Sequence, residues 1–552
     1  MWLPGSEPQS DPAHGTTRRE FVKTAAAAGG AMSLGVFLAA CGGSSSGAGT
    51  TSAHTGRLTG TPVRGGNFRL AVQGGGTSET LDPTAGTSTA DYARAFSVYE
   101  PLVALGPDGK LQNVLAQEFI PNRDFTEWTI KLVPDVLWHD GTKLTVDDVI
   151  YCMSVTLEGK AFASFGATGY AGIIQKSLKR IDDLTMSLKL SAPNSLFSSQ
   201  LSEPYNLIFQ QGVSAFDHPI GTGPFKFLSW TRGERATYAA WDEYRLGRPY
   251  FDTLQILSIS DPTARLNALT SNEVDAISDP SYSQIPEITS KSGLQLVENP
   301  GGTGNIYVLM ACTPAKTFVT GNGGVTNNNL VRQALKYLVP REQILESVFA
   351  GHARIGNDLS GWFDPHYDHS LPQRPYDPEK AKSLLKQAGV SSLTSIEFVY
   401  SDIYPEAADI CTLFASACTQ AGFPLSTKLV PAADYYASYW PNKYPLSVDF
   451  WRSRELADQW RVSCLPGGVF NETSFNNPQF NAIYAELTKT ADVSIQQGLF
   501  YEAQKVLYDQ GGNIVPAFGN YVVAASNKVI NIPQGINNPF ANWNFRTMSF
   551  KS

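Results

Sequence analysis

Between Trp128 and Leu132 the chain alternates, with Trp128, Ile130 and Leu132 separated by Thr129 and Lys131. That period predicts a strand with one buried face. Asp140-Gly141 supplies a tight turn, and from Val146 the period lengthens to that of a helix. Val146, Val149, Ile150 and Met153 share its apolar face, Thr145 caps it, and Asp147 and Asp148 stand in the first turn, where carboxylates meet unpaired backbone N–H groups. Asn67–Val72 reads as a strand after the Gly65-Gly66 turn, Ile181–Leu188 as an alternating strand, and Gly221-Thr222-Gly223 as a turn entering another at Phe225. Tyr250 to Ile277 reads as strand, helix (Ala264, Leu266, Ala268, Leu269) and strand.

After Gly304 helical spacing dominates. Leu330, Val331, Ala334, Leu335 and Leu338 form one face. Asp377-Pro378 opens another helix, with Leu384, Leu385 and Ala388 inward and Gly389 as terminator. Helices follow through Phe480, Ile483, Tyr484 and Leu487 and through Leu499, Phe500, Ala503, Val506 and Leu507, the second ended by Gly511-Gly512 before a strand at Ile514–Phe518. No internal repeat is present. At 552 residues the chain predicts three or four domains on a prior of about 150 residues each.

Composition is that of a globular body, with 42% hydrophobic, 17% charged and 11% aromatic residues. The net charge of −8 argues against nucleic acid as a partner. The N-terminus is of another kind. Arg18-Arg19 precede an uncharged, Ala- and Gly-rich run from Thr24 to Ala40, a poor membrane anchor but a good export signal of the twin-arginine type. It ends in Leu38-Ala39-Ala40-Cys41, which resembles the lipobox of bacterial lipoproteins and implies lipidation of Cys41. The Gly/Ser/Thr-rich stretch to Pro62 predicts a flexible tether. Of six cysteines five then remain, an odd number that excludes a full disulfide framework. Cys411 and Cys418 share a helical face, but seven residues of rise, about 10.5 Å, put them beyond disulfide reach, so core thiols are expected. Cys152 sits similarly in a helix, and Cys312 and Cys464 are left unassigned.

Catalytic patterns are weak. The one G-x-S-x-G string, Gly43 to Gly47, lies in the tether, where no strained elbow can hold a nucleophile. Gly221-Thr222-Gly223 lacks the third glycine and following helix of a nucleotide loop. Asp364, His366, Asp368 and His369 have a spacing that metals accept, but an exposed His/Asp-rich loop is the better account. The reading is no enzyme, no catalytic residue, no cofactor and no metal.

The segments RGGNFRLAV…LDP, YEPLV…DGKL…LAQEF, WTIKL…WHDGTKLTVDDV and YDPEKAKSLLKQAG together resemble the family 5 extracytoplasmic solute-binding proteins of ABC importers, the dipeptide, oligopeptide and nickel type. The likeness runs to the end of the chain. It implies an α/β fold of the periplasmic-binding-protein-like type II: two α/β lobes joined by a hinge, with a β-rich subdomain inserted in the first. On that template residues 1–40 are signal peptide, 41–61 tether, 62–99, 181–303 and 522–552 lobe one, 100–180 the insert, and 304–521 lobe two, with hinge strands near Asn305–Val308 and Ile514–Phe518. The implied function is that of a lipid-anchored monomer at the extracytoplasmic face of the cell membrane. It would capture a peptide-like or other polar solute and deliver it to ABC permease subunits. The alternatives are a sensory receptor signalling through a membrane partner, or a binder of oligosaccharide or metal chelate.

By the same resemblance the solute is expected at Gly86, Thr87 and Ser88, at Phe165 and Tyr170 in the insert, and at Trp451, Arg452, Ser453, Arg454 and Asp458. Peptide-binding relatives carry a W-x-x-D pattern whose aspartate pairs with the ligand's α-ammonium group; here Arg454 stands in that place. A guanidinium suits a carboxylate or phosphate, and two desolvated cations repel. A free peptide N-terminus therefore fits here only if Glu455 or Asp458 substitutes, unless Arg452 and Arg454 are solvated or pair with those two acids. Tyr435, Tyr436, Tyr439 and Trp440 are candidates for stacking or for core.

Overall fold

The computed structural model describes residues 54–55, 57–77, 79–159, 164–312, 324–390, 395–401, 405–431, 434–435, 444–452, 454–535 and 539–552. The expected export signal, Cys41 and residues 42–53 and 56 of the expected tether lie outside the described residues, as do Ser453, Tyr436, Tyr439, Trp440 and the side chain of Phe165.

Strand β1 (Asn67–Val72) is apolar and buried from Phe68 onward except at Arg69, as befits a strand covered on both faces. Helix α1 (Thr89–Val98) starts from a capping box in which Ser88 Oγ accepts from Asp91 N and the Asp91 carboxylate accepts from Ser88 N. The insert follows as β2 (Ala116–Pro121), β3 (Glu127–Leu132), α2 (Val146–Glu158), β4 (Lys179–Arg180) and β5 (Thr185–Lys189). Thr145 and Asp148 form the capping box of α2, and Gly159 in the left-handed conformation (φ 63°) ends it. The insert's four strands make one antiparallel sheet, ordered β2-β3-β5-β4. Because Thr185–Lys189 pairs with Lys131–Glu127, the insert runs past the boundary expected at residue 180.

The body continues through β6 (Phe225–Thr231), β7 (Arg235–Ala240), β8 (Thr253–Ser258), β9 (Ala276–Ser278) and the long β10 (Leu294–Met310). Then come α3 (Asn329–Tyr337), α4 (Pro378–Gln387), β11 (Ile396–Ser401), α5 (Pro405–Gln420), β12 (Leu425–Val430) and β13 (Leu446–Arg452). The chain closes with α6 (Leu456–Ser463), α7 (Pro478–Leu487), α8 (Val493–Gln510) and β14 (Ala517–Ser526). One mixed sheet runs through both lobes in the order β6-β7-β8-β1-β9-β14-β10-β13-β11-β12. Strands β10 and β14 sit at its middle. Up to Asn299 β10 pairs with β14; the register then breaks, and from Gly304 it pairs with β13. The break precedes Asn305–Val308, which already lie in the ladder with β13. Separate apolar cores flank this middle, one around Phe68, Trp128 and Leu254, another around Val331, Phe398 and Phe414.

Two motifs singled out in the sequence meet here. His139, beside the Asp140-Gly141 turn, receives Gly221 N on Nδ1 at 3.2 Å and reaches Gly223 O with Nε2 at 2.9 Å. Burial pulls its pKa down to about 4, so the ring is neutral, with the proton on Nε2. Gly223 N donates to Val98 O at 2.8 Å, and a Cβ on Gly221 would stand 1.9 Å from that oxygen. The glycines of Gly221-Thr222-Gly223 therefore allow close backbone approach to the end of α1.

Candidate functional site

The β13–α6 connection carries the residues of greatest chemical interest. Helix α6 begins at Glu455, whose side chain does not cap it. Instead Asp364 Oδ2 accepts from Leu456 N at 2.7 Å, placing a buried carboxylate at the helix N-terminus. Asp364 also accepts from His366 N at 2.8 Å. Asp368 accepts from Ser370, and the His366 ring stacks on Phe500 at 4.2 Å. The 364–369 run is thus only in part an exposed loop: both aspartates are buried because they anchor α6 and their own turn, while His369 stays exposed. Among the described residues no group of three or more His, Cys, Asp or Glu is disposed to hold a metal ion.

Arg454 does not pair with Glu455 or Asp458. Its Nε and Nη2 donate to Glu203 Oε1 and Oε2 at 2.7 and 3.1 Å, a bidentate pair in which the side chains are 11% and 0% exposed. Glu203 follows Phe197 and Leu201, which belong to the first core, whereas Leu456, Ala457 and Trp460 of α6 belong to a core of the second lobe. The ion pair therefore joins two cores, and on the expected division of the chain it joins the two lobes. Ser195 N→Thr488 O at 2.7 Å and Ser195 Oγ→Leu487 O at 3.3 Å join them again beside it. Asp458 is held at Oδ1 by Arg461 Nε and Nη2 at 2.8 and 2.6 Å and also hydrogen-bonds Glu203. Glu455 meets Ser199 across the seam, and its Oε2 is buried without a hydrogen bond.

Electrostatics follow from this packing. Burial works against the charge on Glu203, but Arg454 outweighs it and holds the carboxyl below its ordinary value. Burial pushes Asp458 up to about 7 against the pull of Arg461, and burial with the nearby Asp364 pushes Glu455 up to about 8. Three carboxyls, Glu203, Glu455 and Asp458, face two guanidiniums, Arg454 and Arg461. One carboxyl is left without a cation.

Alongside, Arg452 lies 4.0 Å over the ring of Tyr92, whose hydroxyl donates to Tyr205 OH at 2.8 Å. Its charge also reaches Asp279 of the first lobe. Other expected contacts are engaged otherwise. Trp451 is 5% exposed, stacks with Tyr307 and donates Nε1–H to Glu472 at 2.8 Å, so the indole is core. Tyr170, 2% exposed and beside Asn206, is buried in the insert and has no face left for a solute. The N–H groups of Thr87 and Ser88 both donate to Asp91 Oδ2. Gly86 packs so closely on Asp91 that a Cβ would stand 2.9 Å from the aspartate Cβ. Tyr435 is core, its hydroxyl donating to Val448 O at 2.6 Å. Sequence reasoning missed Glu203, Tyr92 and Tyr205; the available signal was a lone acid, Glu203, inside the otherwise uncharged run Leu201–Phe209.

The profile described as "Bacterial extracellular solute-binding proteins, family 5 Middle" matches residues 110–461. The chain belongs to this family, the solute-binding proteins of ABC importers. Among family 5 relatives, the glutathione-binding protein GsiB of Pectobacterium atrosepticum is 26% identical over 477 residues, covering 82% of this chain and 89% of GsiB. The periplasmic binding protein DppA of Helicobacter pylori, solved with the peptide STSA, superposes with a TM-score of 0.75 at 18% identity over 89% of this chain and 99% of DppA. NikA of Staphylococcus aureus, solved with Ni(L-His)2, gives 0.70 at 18% identity over 87% and 99%. These neighbours share the type II binding-protein fold. Among the described residues no helix is long and apolar enough to cross a membrane.

Proposed function

We propose that this family 5 protein captures a peptide-like or other medium-sized polar solute between its lobes and delivers it, as a lipid-anchored monomer, to an ABC permease at the extracytoplasmic face of the membrane. The observation that carries the reading is the seam itself: charged side chains of both lobes, Glu203 and Arg454 above all, meet across a molecule whose lobes share a sheet through β10 and β14. Such a layout suits hinged closure on a solute, driven by contacts that exist only when the lobes meet. Glutathione binding by one relative and peptide binding by a structural neighbour support the solute class. The departure at Arg454 adds a restriction. Its Nε and Nη2 are already paired with Glu203, so neither an α-ammonium group nor an anion is received there in this state. We assign first contact instead to Arg452, only half-buried where it lies over Tyr92, and to the exposed Thr87 just before α1.

The test is a thermal-shift and small-angle scattering screen of the refolded protein with short peptides, glutathione, oligosaccharides and metal chelates. A solute at 100 times its Kd should stabilise the folded state by about 2.7 kcal/mol and compact it. Absence of both effects across all four classes would refute the proposal. Native mass spectrometry of protein from its host should show a co-purified solute. Cys41→Ala should release the protein from the membrane fraction; retention there would remove the lipid anchor from the reading.

A further inference from the structure

We propose that the Glu203–Arg454–Asp458 seam is a latch that holds the two lobes together in the solute-free protein and takes up a proton as it shuts. The inference rests on the reading of the chain as a lobe-closing binding protein. It stands on an interface: Glu203 is fully buried and both of its oxygens are satisfied by a side chain of the other lobe. If the lobes part, Glu203 and Arg454 return to water and the bidentate geometry is lost. While they are together, each is the other's counter-ion in a desolvated setting, where an unpaired charge is costly.

Charge counting supplies the proton. Asp458 faces Arg461, Glu203 and Arg454; Glu455 faces Asp364, Ser199 and Asp458; Arg461 also faces Tyr484, Arg454 faces Tyr205, and Asp364 is bonded to His366. Among these, Glu455 is the carboxyl left without a cation and with a buried oxygen lacking a partner. In water it would be ionised at neutral pH; in the shut seam it is neutral, with its pKa pushed up to about 8, and Asp458 follows at about 7. Carboxyls raised in the closed state bind more protons there. Closure is therefore fully favoured below their ordinary values of 4.5 and 3.8 and weakens as pH rises through 7 to 8. Glu203, held down instead, opposes closure only below its own ordinary value of 4.5.

The experiment uses the mature chain, stripped of solute by unfolding and refolding, with its radius of gyration followed by small-angle scattering from pH 6 to 9. The wild type should be compact at pH 6 and expand toward pH 9, the closing constant falling by up to about tenfold per pH unit for one proton. Glu455→Gln should make that profile shallower, leaving the part carried by Asp458, and Arg454→Gln should be expanded at every pH while still unfolding cooperatively. A charge swap, Glu203→Arg with Arg454→Glu, should restore compaction. A compact Arg454→Gln overturns the latch, and a wild-type radius independent of pH overturns the proton. If Arg454→Gln fails to fold, the wild-type and Glu455→Gln profiles decide. Seam variants that open while no solute compacts them would leave the latch standing and sink the solute-binding reading; solute-driven compaction with unresponsive seam variants would do the reverse.

Discussion

Replacing Asp358 by Asn tests what holds the second lobe rigid where it feeds the strand shared with the first. Asp358 is 0% exposed and accepts from Arg341 Nη2 at 2.5 Å and from Arg374 Nε at 3.0 Å, both guanidiniums being 2–3% exposed. Arg374 continues to Tyr508 O at 3.0 Å, Lys336 Nζ to Leu507 O and Tyr508 O, Gln333 to Asp509 O and Arg332 to Gln510 O. The last turn of α8 contains no basic residue, so these four side chains supply the donors that its terminal carbonyls need. The chain then enters β14 within a few residues. Asn keeps the shape of Asp and tolerates the positive φ of 64° found here, so the substitution isolates the charge. Its amide N–H must also face one of two donors. Breaking a buried pair typically costs about 3–5 kcal/mol, which for a compact unit of roughly 500 residues lowers Tm by about 3–5 °C. Urea denaturation followed by tryptophan fluorescence measures it. A loss below about 1 kcal/mol for Asp358→Asn would refute the argument that this carboxylate neutralises the cluster.

Lys336 predicts a pH effect of its own. Burial, with Arg374 and Arg332 nearby, pulls its amine from 10.5 down to about 7, so between those values the unfolded chain binds more protons and stability rises with pH. Lys336→Met should remove that slope, as urea midpoints at pH 7, 8 and 9 would show; an unchanged slope assigns it elsewhere. Gly221→Ala places a Cβ 1.9 Å from Val98 O and should cost several kcal/mol, whereas Gly141→Ala meets nothing within 4 Å and should cost only about 1 kcal/mol for its positive φ. Equal melting temperatures for the two would contradict the close-approach account. The five described cysteines are all unpaired, and burial pushes each thiol above its ordinary value, Cys464 to about 12. A thiol reagent should label at most the half-buried Cys312 in the native protein and the other four only after denaturation; rapid native labelling of Cys411 or Cys418 would show that α5 does not pack as described.

What the sequence disclosed and what it hid divide along the distance between partners. Thr145 with Asp148 and Asp377 with Pro378 were legible because a helix start is written within four residues. The strand at Thr185–Lys189 was legible as a strand but not as part of the insert, since its partner lies more than fifty positions away. The seam lies furthest beyond reach. Glu203 and Arg454 are 251 positions apart, and neither segment carries a period or spacing that points to the other. Arg454 stood out only as a departure from the peptide-binding pattern, which left two kinds of reading open: a cation awaiting an anionic solute, or one that is solvated or paired with Glu455 and Asp458. Both looked for the counter-charge in the wrong place. Glu455 and Asp458 lie close in sequence, but helix geometry turns Asp458 toward Arg461 three residues on, while Glu455 stands at the helix start facing Ser199. The carboxylate that satisfies Arg454 comes from the other lobe. The distance that hid the pair from the sequence is also what would make it respond to the proposed closure, since its halves stand on segments that meet only in the folded chain.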